Sequence, residues 1–261
     1  MRVTLLMLAA VLVPVVVAGE ELSVTVDRFG TVPLLQGAPP PAPVILFVSG
    51  DAGLSPNVKG MAEEFQKLGT LVAVIDIWRY LHALDAMHEE CTNPSRDFDV
   101  LARAAEKKAG YSTYQTPVLV GFSSGGTLTY AVLVQSLPGA FRGAVSLGFC
   151  PDLPVRTRFC AGHGLESVPG PGGKGFTFLP AAHLDEPWVA FQGAGDQDCL
   201  PENTQRFVAQ VGSGEVVDIP QTDHYFHQRE AWIPKLKQIL DRLESAPQPK
   251  FGATAFGPPK Q

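Results

Sequence analysis

The sequence predicts an α/β domain built on a mostly parallel β-sheet with helices on both faces. Three observations lead there. Short, continuous apolar runs alternate with helix-periodic stretches along most of the chain. The runs lack the apolar–polar alternation of half-exposed strands, which marks strands covered on both sides. The chain has 261 residues, 45% hydrophobic and 18% charged, enough for one domain with a full core.

The elements follow in order. Leu22 to Val26 and Val32 to Leu35, separated by a Gly-containing turn, read as an edge hairpin. After the Pro-rich connector Gly37 to Pro43 comes the first buried strand, Val44 to Val48, and then a helix from Asn57 to Leu68 stopped by Gly69. Leu71 to Ile75, Pro117 to Val120, Gly143 to Leu147, Trp188 to Phe191 and Glu215 to Ile219 read as further strands. The helices between and after them span Asp97 to Ala109, Ser124 to Gln135, Glu202 to Val211 and Gln228 to Leu243. Pro151 to Glu186 breaks the alternation. A long aperiodic segment leaving the C-terminal end of a strand reads as a lid or partial cap over a ligand site. The domain is expected over 19–244, with a disordered Pro/Gly/Lys/Gln tail over 245–261.

Met1-Arg2, the apolar stretch Val3 to Val17 and the small residue Ala18 before Gly19-Glu20-Glu21 have the layout of a secretory signal peptide cut after Ala18. The expected location is periplasmic or secreted. The net charge of −6 becomes −7 when Arg2 leaves with residues 1–18, and there is no basic cluster, which excludes nucleic-acid binding. In an oxidising compartment Cys91, Cys150, Cys160 and Cys199 are expected to form two disulfides, with three connectivities open. Proximity in sequence favours Cys150 with Cys160, leaving Cys91 for Cys199. The cysteine spacings match no zinc template, and the chemistry read below calls for no metal and no cofactor.

That chemistry starts at Gly121-Phe122-Ser123-Ser124-Gly125, which falls between a predicted strand and a predicted helix. A serine flanked at both second neighbours by glycine suits a sharp strand–turn–helix in which side chains at the flanks would collide. This is the nucleophile elbow of the α/β-hydrolase fold. It exposes the Ser123 hydroxyl and offers the N–H of Ser124, at a helix start, to an oxyanion. A second oxyanion donor is expected from Ser49-Gly50-Asp51-Ala52-Gly53, from the N–H of Asp51 or Ala52. In this fold the acid and then the histidine follow the serine along the chain. Asp196 has the Gly-x-x-Asp spacing usual for the acid, with Asp198 as the alternative. His224, in the polar loop after the last strand, is preferred as base over His227. His82, His88, His163 and His183 precede the acid and read as loop or surface residues.

With these residues in hand, the chain resembles the bacterial virulence protein family of VirJ and the C-terminal domain of AcvB, from about Val44 to Leu243. The resemblance rests on Ser49-Gly50-Asp51-Ala52-Gly53, on Asp76-Ile77-Trp78-Arg79-Tyr80, on the elbow, and on an acidic loop with a cysteine, Asp196 to Cys199. The family's Gly-Gly-Trp is here Ala52-Gly53-Leu54, and Phe122 and Ser124 replace its aromatic elbow pair. The resemblance implies a periplasmic serine hydrolase acting on an ester substrate, in AcvB-type members an aminoacylated phosphatidylglycerol. In VirJ-type members it implies a role linked to type IV secretion, so a non-catalytic accessory of secretion-system proteins is the alternative. The oligomeric state is not legible.

Overall fold

The computed structural model describes residues 22–247. The signal-peptide reading and all but the first three residues of the expected tail lie outside them. β1 (Ser23–Val26) and β2 (Gly30–Gln36) form the antiparallel edge hairpin. β3 (Val44–Val48), α1 (Pro56–Lys67), β4 (Leu71–Ile75), α2 (Ile77–Asp85), α3 (Pro94–Lys108), β5 (Val118–Phe122), α4 (Ser124–Gln135) and β6 (Ala144–Leu147) follow. The insertion carries three short strands, β7 (Asp152–Leu153), β8 (Ser167–Pro169) and β9 (Phe176–Phe178). β10 (Trp188–Gly193), α5 (Pro201–Val208), β11 (Gly214–Ile219) and α6 (Arg229–Ser245) complete the chain.

The main sheet runs β1-β2-β4-β3-β5-β6-β10-β11. It is parallel from β4 to β11, and only the β1–β2 and β2–β4 pairings are antiparallel. Strand alternation splits the core in two. In β3, Val44, Leu46 and Val48 face α2 to α5, while Ile45 and Phe47 face α1 and α6. Helix α4 is apolar nearly all round and buried from Gly125 to Gln135, which places the elbow at the centre of the sheet.

Three features differ from the sequence reading. Helix α2 was not anticipated, although its start is marked: the Asp76 carboxylate accepts the Trp78 and Arg79 N–H groups at 3.0 and 3.3 Å. Helix α3 begins at Pro94 rather than Asp97, capped by Asn93. The insertion is not aperiodic but an antiparallel sheet, β7-β9-β8. Its anchors lie beside α2, α3 and α4. Asp85 accepts the Arg156 and Thr157 N–H groups at 2.9 Å each. The Tyr130 hydroxyl is held between Leu179 O and Ala181 N at 3.0 and 2.8 Å.

The disulfides correct the expected pairing: they join Cys91 to Cys160 and Cys150 to Cys199. Nearness in sequence misled. The chain after Cys150 leaves through β7, and Cys160 arrives beside the start of α3, where Thr92 exchanges 2.8–2.9 Å backbone hydrogen bonds with Arg158 and Cys160. Cys150 instead follows β6, whose sheet neighbour is β10, so the loops leaving those parallel strands meet and bring Cys199 to it.

Candidate active site

Ser123 bridges β5 and α4 with φ +53° and ψ −124°. For a side chain other than Gly this conformation costs about 1–3 kcal/mol and persists only where surroundings enforce it. Here Ser123 N donates to Leu147 O at 2.8 Å, and Ser123 O accepts the Gly126 N–H at 2.7 Å. The flanking glycines are dictated by packing. A Cβ on Gly121 would stand 2.1 Å from Gly125 O, and one on Gly125 would stand 2.4 Å from both Val48 O and Ser49 O. No side chain fits at either place.

The β11–α6 loop brings His224 to this turn. The Ser123 hydroxyl donates to His224 Nε2 at 3.0 Å, and His224 Nδ1 donates to Asp196 Oδ2 at 2.8 Å. Asp196, in the loop after β10, is fully buried, and His224 is 7% exposed. Asp196 Oδ1 accepts the Asp198 and Cys199 N–H groups at 2.9 and 2.8 Å, and Oδ2 also accepts Gln192 Nε2 at 3.2 Å. That choice between carboxylates is geometric: Asp198 is exposed and supplies only its backbone to Asp196. His227 is exposed and pairs with Asp223 at 2.8 Å, away from the serine. His82, His88, His163 and His183 are all exposed.

Asp196, Asp198 and His224 present donor atoms within 4.8 Å of one another, a spacing a metal ion could use. The chemistry of the set argues against it. Each Asp196 oxygen already accepts two hydrogen bonds, and both His224 nitrogens are engaged.

Burial pulls the His224 pKa down, but the Asp196 hydrogen bond and charge, with Asp198 and Asp51 beyond, outweigh it and hold the imidazole above its ordinary 6.5. Burial likewise pushes Asp196 up, and the His224 and backbone hydrogen bonds overcome it and leave the carboxyl below its ordinary 3.8. A base accepts a proton only when neutral. Any reaction using His224 as base therefore gains rate as pH rises through the raised pKa, and its acid limb in kcat/KM lies above pH 6.5. Asp198→Asn removes one raising charge and should move that limb to lower pH. A limb that stays put or moves up contradicts this electrostatic picture.

The expected oxyanion donors sit close to the serine. Ser124 opens α4, so its N–H has no acceptor within the helix. Asp51 lies in a turn closed by the Gly53 N–H donating to Gly50 O at 2.9 Å. Two further contacts hold that turn: the Ser124 hydroxyl donates to Asp51 Oδ1, and the Trp78 indole N–H to Asp51 O, both at 2.5 Å. Sequence reasoning singled out the Trp78 motif but gave Trp78 no task.

Three further carboxylates have partners within the protein. Asp85 is tied to Arg156 at 3.3 Å, Glu89 lies 3.8 Å from Arg28, and Asp152 accepts the Thr177 hydroxyl. Among the described residues, Asp51 and Asp198 are the carboxylates besides Asp196 whose charge reaches His224. Asp198 also borders a groove of about 490 Å³ between the insertion and α5, floored by Phe149, Phe178 and Phe207.

No protein-family model matches this chain, and no curated protein sequence does. Solved structures do. The chain is similar to the esterase domain of a Rhodothermus marinus protein, at 16% identity and TM-score 0.53, over 85% of this chain and 96% of that one. It is similar to Est1E from Butyrivibrio proteoclasticus, at 12% identity and TM-score 0.56, over 87% and 99%. It is also similar to an alpha-beta serine hydrolase homologue from Coxiella burnetii, at 17% identity and TM-score 0.51, over 88% and 99%. At these identities the likeness carries the fold, and the fold is that of the α/β-hydrolases.

Proposed function

We propose that this protein is a serine hydrolase that cleaves an acyl ester through an acyl-enzyme on Ser123. The observation that carries the reading is the unbroken hydrogen-bond chain from the Ser123 hydroxyl through His224 to Asp196. Ser123 Oγ attacks the ester carbonyl while its proton passes to His224 Nε2. The tetrahedral oxyanion is met by the N–H groups of Ser124 and Asp51 or Ala52. As the intermediate collapses, His224 returns the proton to the departing alcohol. Water, deprotonated by the same nitrogen, then attacks the acyl-enzyme; the Oγ–acyl bond breaks, the acid leaves, and His224 returns the proton to Ser123 Oγ. Asp196 stays ionised and balances the imidazolium. Similarity in fold to proteins named as esterases supports an ester as substrate. An active-site-directed phosphonate tests the reading: it should label Ser123 in the wild-type protein, and a label found elsewhere sinks it.

For the substrate we infer an aminoacylated phosphatidylglycerol, cleaved at the aminoacyl ester. The resemblance to the VirJ and AcvB family motivates it; the likeness to solved structures carries the fold and not that narrower family. A cationic aminoacyl group also suits a serine flanked by the Asp51 and Asp198 charges, with which an ammonium makes a charge-assisted contact that a neutral ester lacks. Export fits the same reading, since two disulfides suit an oxidising compartment and the lipid is a membrane component. Among the described residues no helix is long and apolar enough to cross a membrane. The expected result is faster cleavage of lysyl- or alanyl-phosphatidylglycerol than of a neutral short-chain ester, with Asp198→Asn narrowing the difference. Equal rates on both would reduce the assignment to a general carboxylesterase.

A further inference from the structure

We propose that Trp78 and the Ser124 hydroxyl act as positioning residues that clamp the Asp51 turn into an oxyanion hole. The inference rests on the hydrolase reading above. It starts from a motif, Asp76 to Tyr80, that the triad leaves without a task.

Backbone geometry carries it. A trans peptide points its C=O and N–H in opposite directions. Gly50 O accepts the Gly53 N–H inside the turn, so the N–H of Asp51, on the same peptide unit as Gly50 O, points out of it. Asp51 O is taken by the Trp78 indole at 2.5 Å, so the Ala52 N–H, on the next unit, points away from Trp78. Among the described residues neither the Asp51 nor the Ala52 N–H has a protein acceptor, as befits donors kept for a ligand.

The turn is also pressed against the nucleophile. A Cβ on Gly50 would lie 3.0 Å from the Ser123 Cβ, so the peptide unit that carries the Asp51 N–H begins at a residue packed against Ser123. Two anchors on opposite sides of Asp51 then set its orientation. The indole, on α2, holds the carbonyl, and α2 is itself tied to the same loop by the Ile77 N–H donating to Ser49 Oγ at 3.0 Å. The Ser124 hydroxyl holds the carboxylate at 2.5 Å, joining the turn to the residue whose own N–H is the other expected donor. The clamp therefore sets the spacing between the two halves of the hole. Preorganised donors stabilise an oxyanion because they need not reorient as charge develops, and one such donor is worth about 10²–10³ in kcat.

Trp78→Phe keeps an aromatic ring and removes the N–H; Ser124→Ala keeps the backbone donor and removes the hydroxyl. Each should lower kcat about 10- to 100-fold, a part of the value of a whole donor, with KM changed less than threefold. A boronic acid that forms a tetrahedral adduct on Ser123 should lose affinity by a similar factor, while phosphonate labelling still maps to Ser123. A merely structural role would not make adduct affinity follow kcat. Because Ser124 is half-buried and small, Ser124→Ala tests the clamp even if Trp78→Phe fails to fold. Wild-type kcat in Ser124→Ala, or a fall in kcat with boronate affinity unchanged, overturns the clamp and leaves the triad standing. Hydrolysis surviving in Ser123→Ala overturns the reading beneath it instead.

Discussion

Ser123→Ala should lower ester hydrolysis by about 10⁴- to 10⁶-fold and abolish phosphonate labelling. The size follows from the proposed mechanism: among the described residues no other side chain hydrogen-bonds His224 Nε2 to take up the attack, and what rate remains comes from the oxyanion donors and binding. The same variant should fold normally. Among the described residues the Ser123 hydroxyl hydrogen-bonds His224 alone, and such a bond contributes about 1 kcal/mol. The backbone at +53° is held by Leu147 O and the Gly126 N–H, which an alanine leaves intact. Rate lost while the melting temperature holds is the signature of a nucleophile. Rate retained removes the central reading.

Asp196→Asn should lower kcat by about 10⁴-fold, whereas Asp198→Asn should cost less than about tenfold. The reason lies in how the Asp196 oxygens are used. Oδ1 accepts two backbone N–H groups, from Asp198 and Cys199, and only an oxygen can stay there. An asparagine must therefore keep its carbonyl on that side and turn its NH₂ toward His224 Nδ1. Nδ1 then becomes an acceptor, the ring proton moves to Nε2, and the nitrogen facing Ser123 can no longer take a proton. The wrong tautomer, more than the lost charge, disables the base. Asp198 offers Asp196 only a backbone N–H, which its asparagine variant retains. Comparable losses in both variants would mean that charge around His224, rather than tautomer control, dominates.

The resemblance and the geometry bear on different questions. A hydrogen-bonded serine, histidine and aspartate define an acyl-transfer chemistry but name no acyl group. The proposed preference for a cationic acyl ester rests on the Asp51 and Asp198 charges beside His224, and the lipid comparison tests it without touching the triad.

What the sequence determined by itself was whatever depends on local periodicity and local sterics. Val44–Val48 and Leu71–Ile75 appear as strands with the residues expected, because a run covered on both faces must be apolar throughout. The elbow was legible because Gly121 and Gly125 are required by contacts within one strand–turn–helix unit and its neighbouring strand. The sequence could place Ser123, Asp196 and His224 at one end of the sheet because each lies in a loop after a strand of a parallel sheet. The tertiary structure decided what depends on which loops meet. Asp196 and Asp198 are two residues apart and chemically equal. Only the buried, four-donor environment of one separates them. Cys150 found Cys199 rather than Cys160 because β6 and β10 are sheet neighbours, and strand order is not written in spacing. Asp85 pairs with Arg156 because the insertion, itself an unforeseen sheet, returns to the end of α2. Trp78 acquired a partner in Asp51 for the same reason: β3 and β4 lie side by side and parallel, so the turn after one meets the helix after the other.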